Sequence, residues 1–150
     1  MPIEPHSVRA GVDGLCAALD PLAYPARMRA LAAWVRAVVR DEDRGGSPLR
    51  PFLDELDARG TYERRLAGIA AAVGRDVAFL EARLTDPDPV VRGHALQASL
   101  RLPIGDAALE RAMDDAPAAV RRKIADVVVA GGRADHTRRA ADRARTGGMG

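Results

Sequence analysis

Aromatic residues, lysine and cysteine are all scarce in this chain of 150 residues. Phe, Trp and Tyr together make up 3% of it, Lys123 is its only lysine and Cys16 is its only cysteine. A single cysteine excludes an internal disulfide, and the setting of Cys16 between Leu15 and Ala17 favours a small buried side chain over a reactive thiol. With so few aromatic residues and with thirty alanines, we expect closely packed helices that touch through small side chains.

Long apolar stretches are missing as well. No stretch reaches the ~18 apolar residues that a membrane-crossing helix needs. Residues 1–7 also lack the basic and the apolar part of a signal peptide. We therefore expect a soluble, cytoplasmic protein that does not associate with membranes.

A strong excess of either charge is also absent. The chain has 23 basic and 21 acidic residues, which leaves a formal net charge of +2. All but one of the basic residues are arginines, and this bias, together with abundant Ala, Gly and Pro, is typical of a GC-rich bacterial genome. The sequence pI of about 9.2 is therefore weak evidence for nucleic-acid binding.

Catalytic and metal-binding patterns are not found in the sequence. His6, His94 and His136 lie far apart, and none belongs to an HxxxH, HExxH or CxxC pattern. The adjacent carboxylates of Asp114 and Asp115 could act as general acids, but their place at a helix end favours capping. The sequence therefore favours a protein that is not an enzyme, and it predicts no catalytic residue, no metal and no cofactor.

A helix–turn–helix motif organises the rest of the chain. Residues 84–92 read Leu-Thr-Asp-Pro-Asp-Pro-Val-Val-Arg, in which Asp86 and Asp88 are N-cap types. The two prolines end one helix and suit the start of another. The motif recurs 29 residues later, where Asp115 and Arg121 replace Asp86 and Arg92. Fainter copies lie upstream, and four copies about 28 to 37 residues apart indicate a repeat protein, because one helical pair cannot bury its apolar faces alone.

The order Asp-Pro-x-x-x-Val-Arg, between an apolar helix and an Ala/Leu-rich helix, resembles a HEAT repeat. The resemblance is clear over residues 75–131 and extends in outline toward residue 8. It implies an all-α fold, a right-handed α-α superhelix of about four to five HEAT-like hairpins over residues 1–132. The composition of residues 133–150, with five arginines and no large apolar residue between residues 134 and 144, predicts a separate basic helix and a flexible Gly-rich end. The resemblance also implies that the motif residues pair between neighbouring repeats, which gives a structural role to Asp86, Arg92, Asp115 and Arg121. The second copy departs from the pattern, because Ala58 stands where the aspartate is expected.

Apolar periodicity and helix breakers predict eight helices. They lie near residues 8–19, 26–40, 49–58, 61–73, 75–85, 88–102, 105–115 and 117–130. Gly60, Gly74 and Gly105 fit C′ positions in the left-handed conformation. Trp34 falls on the apolar face of the second helix, which favours a core position over an exposed platform for stacking bases.

The register of the second helix in each pair predicts a binding surface. His94, Gln97 and Arg101 form one polar stripe of the helix over residues 88–102, separate from an apolar set of Val91, Ala95, Ala98, Leu100 and Leu102. The same register selects Arg29 and Arg36 in the first copy and Lys123 and Asp126 in the fourth. In the second copy it selects Leu66, Ile69 and Val73, which suit a core. A HEAT-like stack would place these helices on its concave side, although the stripe also fits an ordinary solvated face.

The sequence therefore predicts a monomeric protein-binding scaffold or adaptor whose concave face contacts another protein, one with an acidic surface. The alternative is a nucleic-acid-binding module related to HEAT-like DNA glycosylases. That module would use the concave arginines and the five arginines of residues 133–145. A third hypothesis is an enzyme accessory or a lyase, which a bound chromophore would identify.

Overall fold

The computed structural model of the chain describes residues 5–114, 118, 120–126 and 129. All the regular secondary structure of these residues is helical, which confirms the all-α class. The helices are α1 (Pro5–Leu19), α2 (Tyr24–Asp43), α3 (Arg50–Asp57), α4 (Thr61–Gly74), α5 (Val77–Arg83), α6 (Pro89–Ala98) and α7 (Asp106–Asp114). Residues 120–126 are helical too. None of the helices in the described part of the chain is long and apolar enough to span a membrane.

Proline and aspartate start these helices. A proline occupies the first turn of α2, α3 and α6, where its missing N–H would have no helical partner in any case. Asp76 caps α5 by accepting a hydrogen bond from the N–H of Phe79 at 3.1 Å. Asp88 caps α6 in the same way, from the N–H of Val90 at 2.9 Å. Both aspartates satisfy amide donors that the first turn leaves open.

The helices pack in consecutive pairs, and some helices two positions apart in the chain also contact each other. Each of α1, α3 and α5 packs against the helix that follows it, and α1 also packs against α3. The helices α2, α4 and α6 form a set in which α4 contacts both of the others. The middle of α4 is buried and made largely of small residues, namely Ala67, Gly68, Ala70 and Ala71. These side chains let four other helices approach α4 closely.

The glycines do not have the left-handed role that the sequence suggested. Gly60 precedes α4 with an extended φ of 168°, and Gly74 is the last residue of α4. In the described part of the chain, φ angles in the left-handed region, between about +20° and +160°, occur only at Gly45 and Arg75. Gly74 is required for packing, because a Cβ atom on it would overlap the side chain of Leu49 and crowd that of Val35.

The prediction for the helix over residues 88–102 was too long. The helix α6 ends at Ala98, after which the N–H groups of Arg101 and Leu102 both donate to the carbonyl of Ala98, at 3.0 and 2.9 Å. Leu100, which we placed in the apolar set, is 51% exposed. The physical reason is angular, since a residue nine positions after Val91 lies half a turn away from it even in an ideal helix.

The two residues that we assigned to the core lie at its edge. Trp34 is half-buried and packs edge-to-face against Phe52, with ring centroids 5.4 Å apart and an interplanar angle of 88°. Cys16 is also half-buried, and burial raises the pKa of its thiol. Both residues pack against the buried core.

Candidate functional site

A chain of charged side chains joins one helical pair to the next at the Asp-Pro motif. The carboxylate of Asp86 is 4% exposed, forms an ion pair with Arg64 and accepts a hydrogen bond from the N–H of Asp88 at 2.9 Å. Arg64 is the residue that the repeat register aligns with Arg92. Arg92 itself donates to the backbone carbonyl of Asp86 at 3.0 Å. The motif aspartate therefore pairs with the arginine of the preceding copy.

Asp57 takes the place of the aspartate that the second copy lacks. Its Oδ2 atom accepts a hydrogen bond from Arg83 at 2.9 Å, and its Oδ1 atom lies 3.6 Å from Nε of Arg64. The guanidinium of Arg83 also lies over the ring of Phe79, 4.2 Å from its centroid. Arg64 thus connects Asp57 of its own hairpin to Asp86 of the next one.

The two N-cap aspartates are held by arginines of the preceding hairpin. Arg50 pairs with Asp76, and Arg65 donates to Asp88 at 2.9 Å. The arginine is the largest influence on each carboxylate, and it lowers the pKa of Asp76 and of Asp88 below the ordinary range for aspartate. These contacts fix the positions of α5 and α6 relative to α3 and α4.

A groove of about 410 Å³ opens between α2, α4 and α6. Its size lies in the range of ligand-binding clefts. Ten residues line it: Arg36, Ile69, Ala72, Val73, Arg75, His94, Gln97, Ala98, Arg101 and Leu102. The groove is therefore formed by α4, by its two neighbours α2 and α6, and by the residues that directly follow α4 and α6.

The floor of the groove is apolar and its ionisable groups are all basic. Ile69, Ala72 and Val73 of α4 form the apolar floor together with Ala98 and Leu102. Arg36, Arg75, Arg101 and His94 are its ionisable lining residues, and no carboxylate lines it. The three arginines are exposed, and none of them forms an ion pair within the described part of the chain. Such a surface suits a ligand that carries both apolar and anionic groups.

His94 adds a titratable group to this surface. It lies against α4 at Gly68, where a Cβ atom would be 3.7 Å from the Cβ of His94. Burial, and to a smaller extent the guanidinium of Arg65, lower the pKa of His94, while Asp88 opposes the shift. The imidazole is therefore neutral over a wider pH range than an exposed histidine.

Arg75 has an unusual backbone. Its φ of 60° and ψ of 38° are left-handed, and within the described residues it is the only non-glycine residue with a positive φ. It occupies the C′ position of a Schellman motif, in which the N–H of Asp76 donates to Ala71 at 2.9 Å and the N–H of Arg75 donates to Ala72 at 3.3 Å. Glycine is the usual residue there, since a left-handed backbone costs other residues about 1–2 kcal/mol.

The structure gathers four of the seven predicted surface residues in this groove. They are Arg36, His94, Gln97 and Arg101. Lys123 and Asp126 line a smaller neighbouring depression of about 280 Å³, which also includes Gln97. Arg29 is exposed on α2 and does not line the groove.

The other predictions fall at the end of the described residues or beyond it. Arg121 is exposed in the helical residues 120–126. Asp115 lies outside the described residues, as does the basic segment over residues 133–150. The proposed boundary between that segment and the rest of the chain stays a prediction.

Sequence reasoning missed Arg75 and identified the groove residues of the second copy only in part. Leu66 is buried, as its apolar character indicated, whereas Ile69 and Val73 pack against the core and also line the groove. The register of the second helices includes Ile69 and Val73, but their apolar character indicated a core. The structure leaves both half-buried on the floor of the groove. Arg75 follows the last residue of α4, so no helical register includes it. The tripeptide Gly-Arg-Asp between two helices was a weak signal, because a left-handed residue is common, although not required, after the end of a helix.

No group of three or more His, Cys, Asp or Glu side chains that could hold a metal ion occurs among the residues that the structure describes. No protein-family model matches the chain, and no curated protein or solved structure matches it either.

Proposed function

We propose that the chain is a superhelix of HEAT-like hairpins that binds an acidic, amphipathic segment of another protein in the groove between α2, α4 and α6. The packing of α2, α4 and α6 in sequence supports the superhelix, as does the packing of α1 on α3. The ion pair between Arg64 and Asp86 gives further support, because it links the motif arginine of one hairpin to the motif aspartate of the next.

The chemistry of the groove supports the binding function. Its three arginines have no acidic partner in the described part of the chain, whereas Arg50, Arg59, Arg64, Arg65 and Arg83 all do. The apolar floor would accept aliphatic side chains of the partner, and the basic rim would contact the carboxylates that flank them. An amphipathic helix laid in a groove has this distribution of groups.

A protein partner fits these residues better than a nucleic acid does. Surfaces that bind single-stranded nucleic acid combine basic residues with aromatic side chains on which bases stack. The groove is lined by no aromatic residue. Its floor of Ile69, Val73 and Leu102 offers nothing to a phosphate backbone.

Fluorescence anisotropy with defined probes tests this function. The first probe is a labelled helical peptide with leucines on one face and glutamates beside them. Its matched control has glutamine in place of glutamate, and a labelled oligonucleotide is the nucleic-acid probe. We expect only the glutamate peptide to bind tightly, with an affinity that falls as salt is added, because exposed charges are screened.

Charge reversal assigns the binding to the groove. The variant Arg36→Glu/Arg101→Glu should bind the glutamate peptide at least about tenfold more weakly, as loss of complementary rim charges predicts. Arg9→Glu is the control, because Arg9 is exposed on α1, away from the groove. Equal affinity in the double variant and the control would rule out the groove. Tighter binding of the oligonucleotide than of the peptide would favour the nucleic-acid alternative.

A further inference from the structure

The backbone of Arg75 cannot relax without disturbing both of the helices that it connects. The residue before it, Gly74, has little room for a side chain, because a Cβ atom added to it would overlap Leu49 and crowd Val35. The residue after it, Asp76, closes the Schellman motif of α4, caps α5 and pairs with Arg50. These neighbours fix the left-handed turn at residue 75 whatever its side chain is.

Glycine would suit this position better than arginine for folding alone. A left-handed residue without a Cβ avoids the steric penalty, which is why glycine is common at the C′ position of helices. The chain instead places a long cationic side chain there, and that side chain lines the groove. Strained residues that the surrounding structure enforces occur mainly at functional sites.

The position of Arg75 on the groove differs from that of the other two arginines. Arg36 lies in α2 and Arg101 follows α6, whereas Arg75 follows α4, the helix between them. The backbone of Arg75 is held by the turn, so the direction in which its side chain leaves the backbone is set before a ligand arrives.

We propose that Arg75 is the specificity-determining residue of the groove and that it binds a carboxylate of the acidic segment. This inference rests on the proposed function, since it names the residue that selects the acidic group. Arg36 and Arg101 supply additional positive charge at the rim. The planar guanidinium of Arg75 can make two parallel hydrogen bonds to one carboxylate, which an ammonium group cannot do.

Three substitutions at this position separate the backbone from the side chain. Arg75→Gly removes the guanidinium and the strain together, Arg75→Ala removes the guanidinium and keeps a Cβ, and Arg75→Lys keeps the charge without the planar group. Each variant is measured in thermal unfolding and in anisotropy with the glutamate peptide and the glutamine peptide. Arg9→Ala serves as the control for loss of an exposed arginine from a helix outside the groove.

We expect Arg75→Gly to melt at or above the midpoint of the wild-type protein and to bind the glutamate peptide at least about tenfold more weakly. Arg75→Ala should lose as much affinity, with a midpoint below that of the glycine variant. Arg75→Lys should recover part of the affinity. In all three variants the preference for glutamate over glutamine should shrink, and Arg9→Ala should keep the wild-type preference.

The outcomes separate this inference from the proposed function. If the wild-type protein binds the glutamate peptide and Arg75→Gly binds it equally well, Arg75 does not select the acidic group, and the proposed function still stands. If Arg75→Gly has a lower melting midpoint than Arg75→Ala, glycine is not the better residue for folding at this position, and the argument from backbone strain is wrong. If the wild-type protein binds neither peptide, both proposals are wrong.

Discussion

The substitution Asp86→Ala removes the buried carboxylate at the centre of the junction between two hairpins. Asp86 is 4% exposed, accepts a hydrogen bond from the N–H of Asp88 and pairs with Arg64. Alanine leaves the N–H donor without its acceptor and the guanidinium without its better-buried partner. The fold should therefore lose stability even though no apolar contact is removed.

The magnitude follows from what remains after the substitution. A buried donor without a partner costs about 1–3 kcal/mol, and removing one member of a fully buried ion pair costs about 3–5 kcal/mol. Arg64 is 26% exposed and keeps Asp57 at 3.6 Å, so the second figure applies only in part. We expect a loss of about 2–4 kcal/mol in the free energy of unfolding, or about 10 °C in the melting midpoint.

Urea unfolding followed by far-UV circular dichroism measures this loss, and a double-mutant cycle assigns it. Arg64→Met, alone and combined with Asp86→Ala, should reveal a coupling of at least about 1 kcal/mol, as is usual for residues in direct contact. Glu110→Ala, which changes an exposed carboxylate on α7, should stay within about 0.5 kcal/mol of wild type. Additive effects of the two substitutions, or a loss below about 1 kcal/mol for Asp86→Ala, would refute the reasoning.

Three further predictions concern pH and packing. The folded-state pKa of His94 is lowered, so the stability should fall as the pH drops below about 6.5, and His94→Gln should flatten that part of a pH series of urea midpoints. The pKa of Asp76 is also lowered, so its contribution should be present above about pH 4 and lost on acidification; acid unfolding of Asp76→Asn that matches wild type would contradict this. Gly74→Ala should cost about 1–3 kcal/mol by overpacking, whereas Gly14→Ala, whose Cβ meets no atom within 4 Å, should be neutral or stabilising by thermal melting.

Most of the helical fold could be predicted because its signals are local. The apolar residues Val8, Val12, Leu15 and Leu19 recur at helical spacing, which predicts one buried face, and all four are buried. Proline and aspartate mark helix starts through their own backbone chemistry, so the starts were found to within a few residues. The predicted positions of the helix ends were less accurate. The end of α6 is an example, because Ala98 is not a residue that usually ends a helix.

The groove could be predicted only in part. His94 and Gln97 lie one turn apart on α6, so their proximity follows from the helical period, whereas Arg101 lies beyond the end of α6. Whether Ile69 and Val73 lie in a core or on the floor of a groove depends on what covers α4, and no local pattern contains that information. The choice of Arg75, and not Gly74, as the left-handed residue was likewise not indicated by the sequence.

The ion pairs, like the groove, could be predicted only in part. The repeat resemblance implied that motif residues pair between neighbouring copies, and the structure pairs Asp86 with Arg64. It did not indicate that Asp57, one position before Ala58, would also contact Arg64. A shift of one residue keeps the carboxylate within reach of a long arginine side chain, which strict sequence alignment does not allow for.

The contact between Trp34 and Phe52 gives the molecule a local optical probe. This contact joins α2 to α3, and Gly11 of α1 approaches the same phenylalanine ring. Because Trp34 is the only tryptophan, its emission reports the first two hairpins, whereas circular dichroism reports every helix. In stacked repeats that contact only their neighbours, unfolding that begins near α7 would reduce the helical signal before the emission changes. Coincident curves would instead identify one cooperative unit.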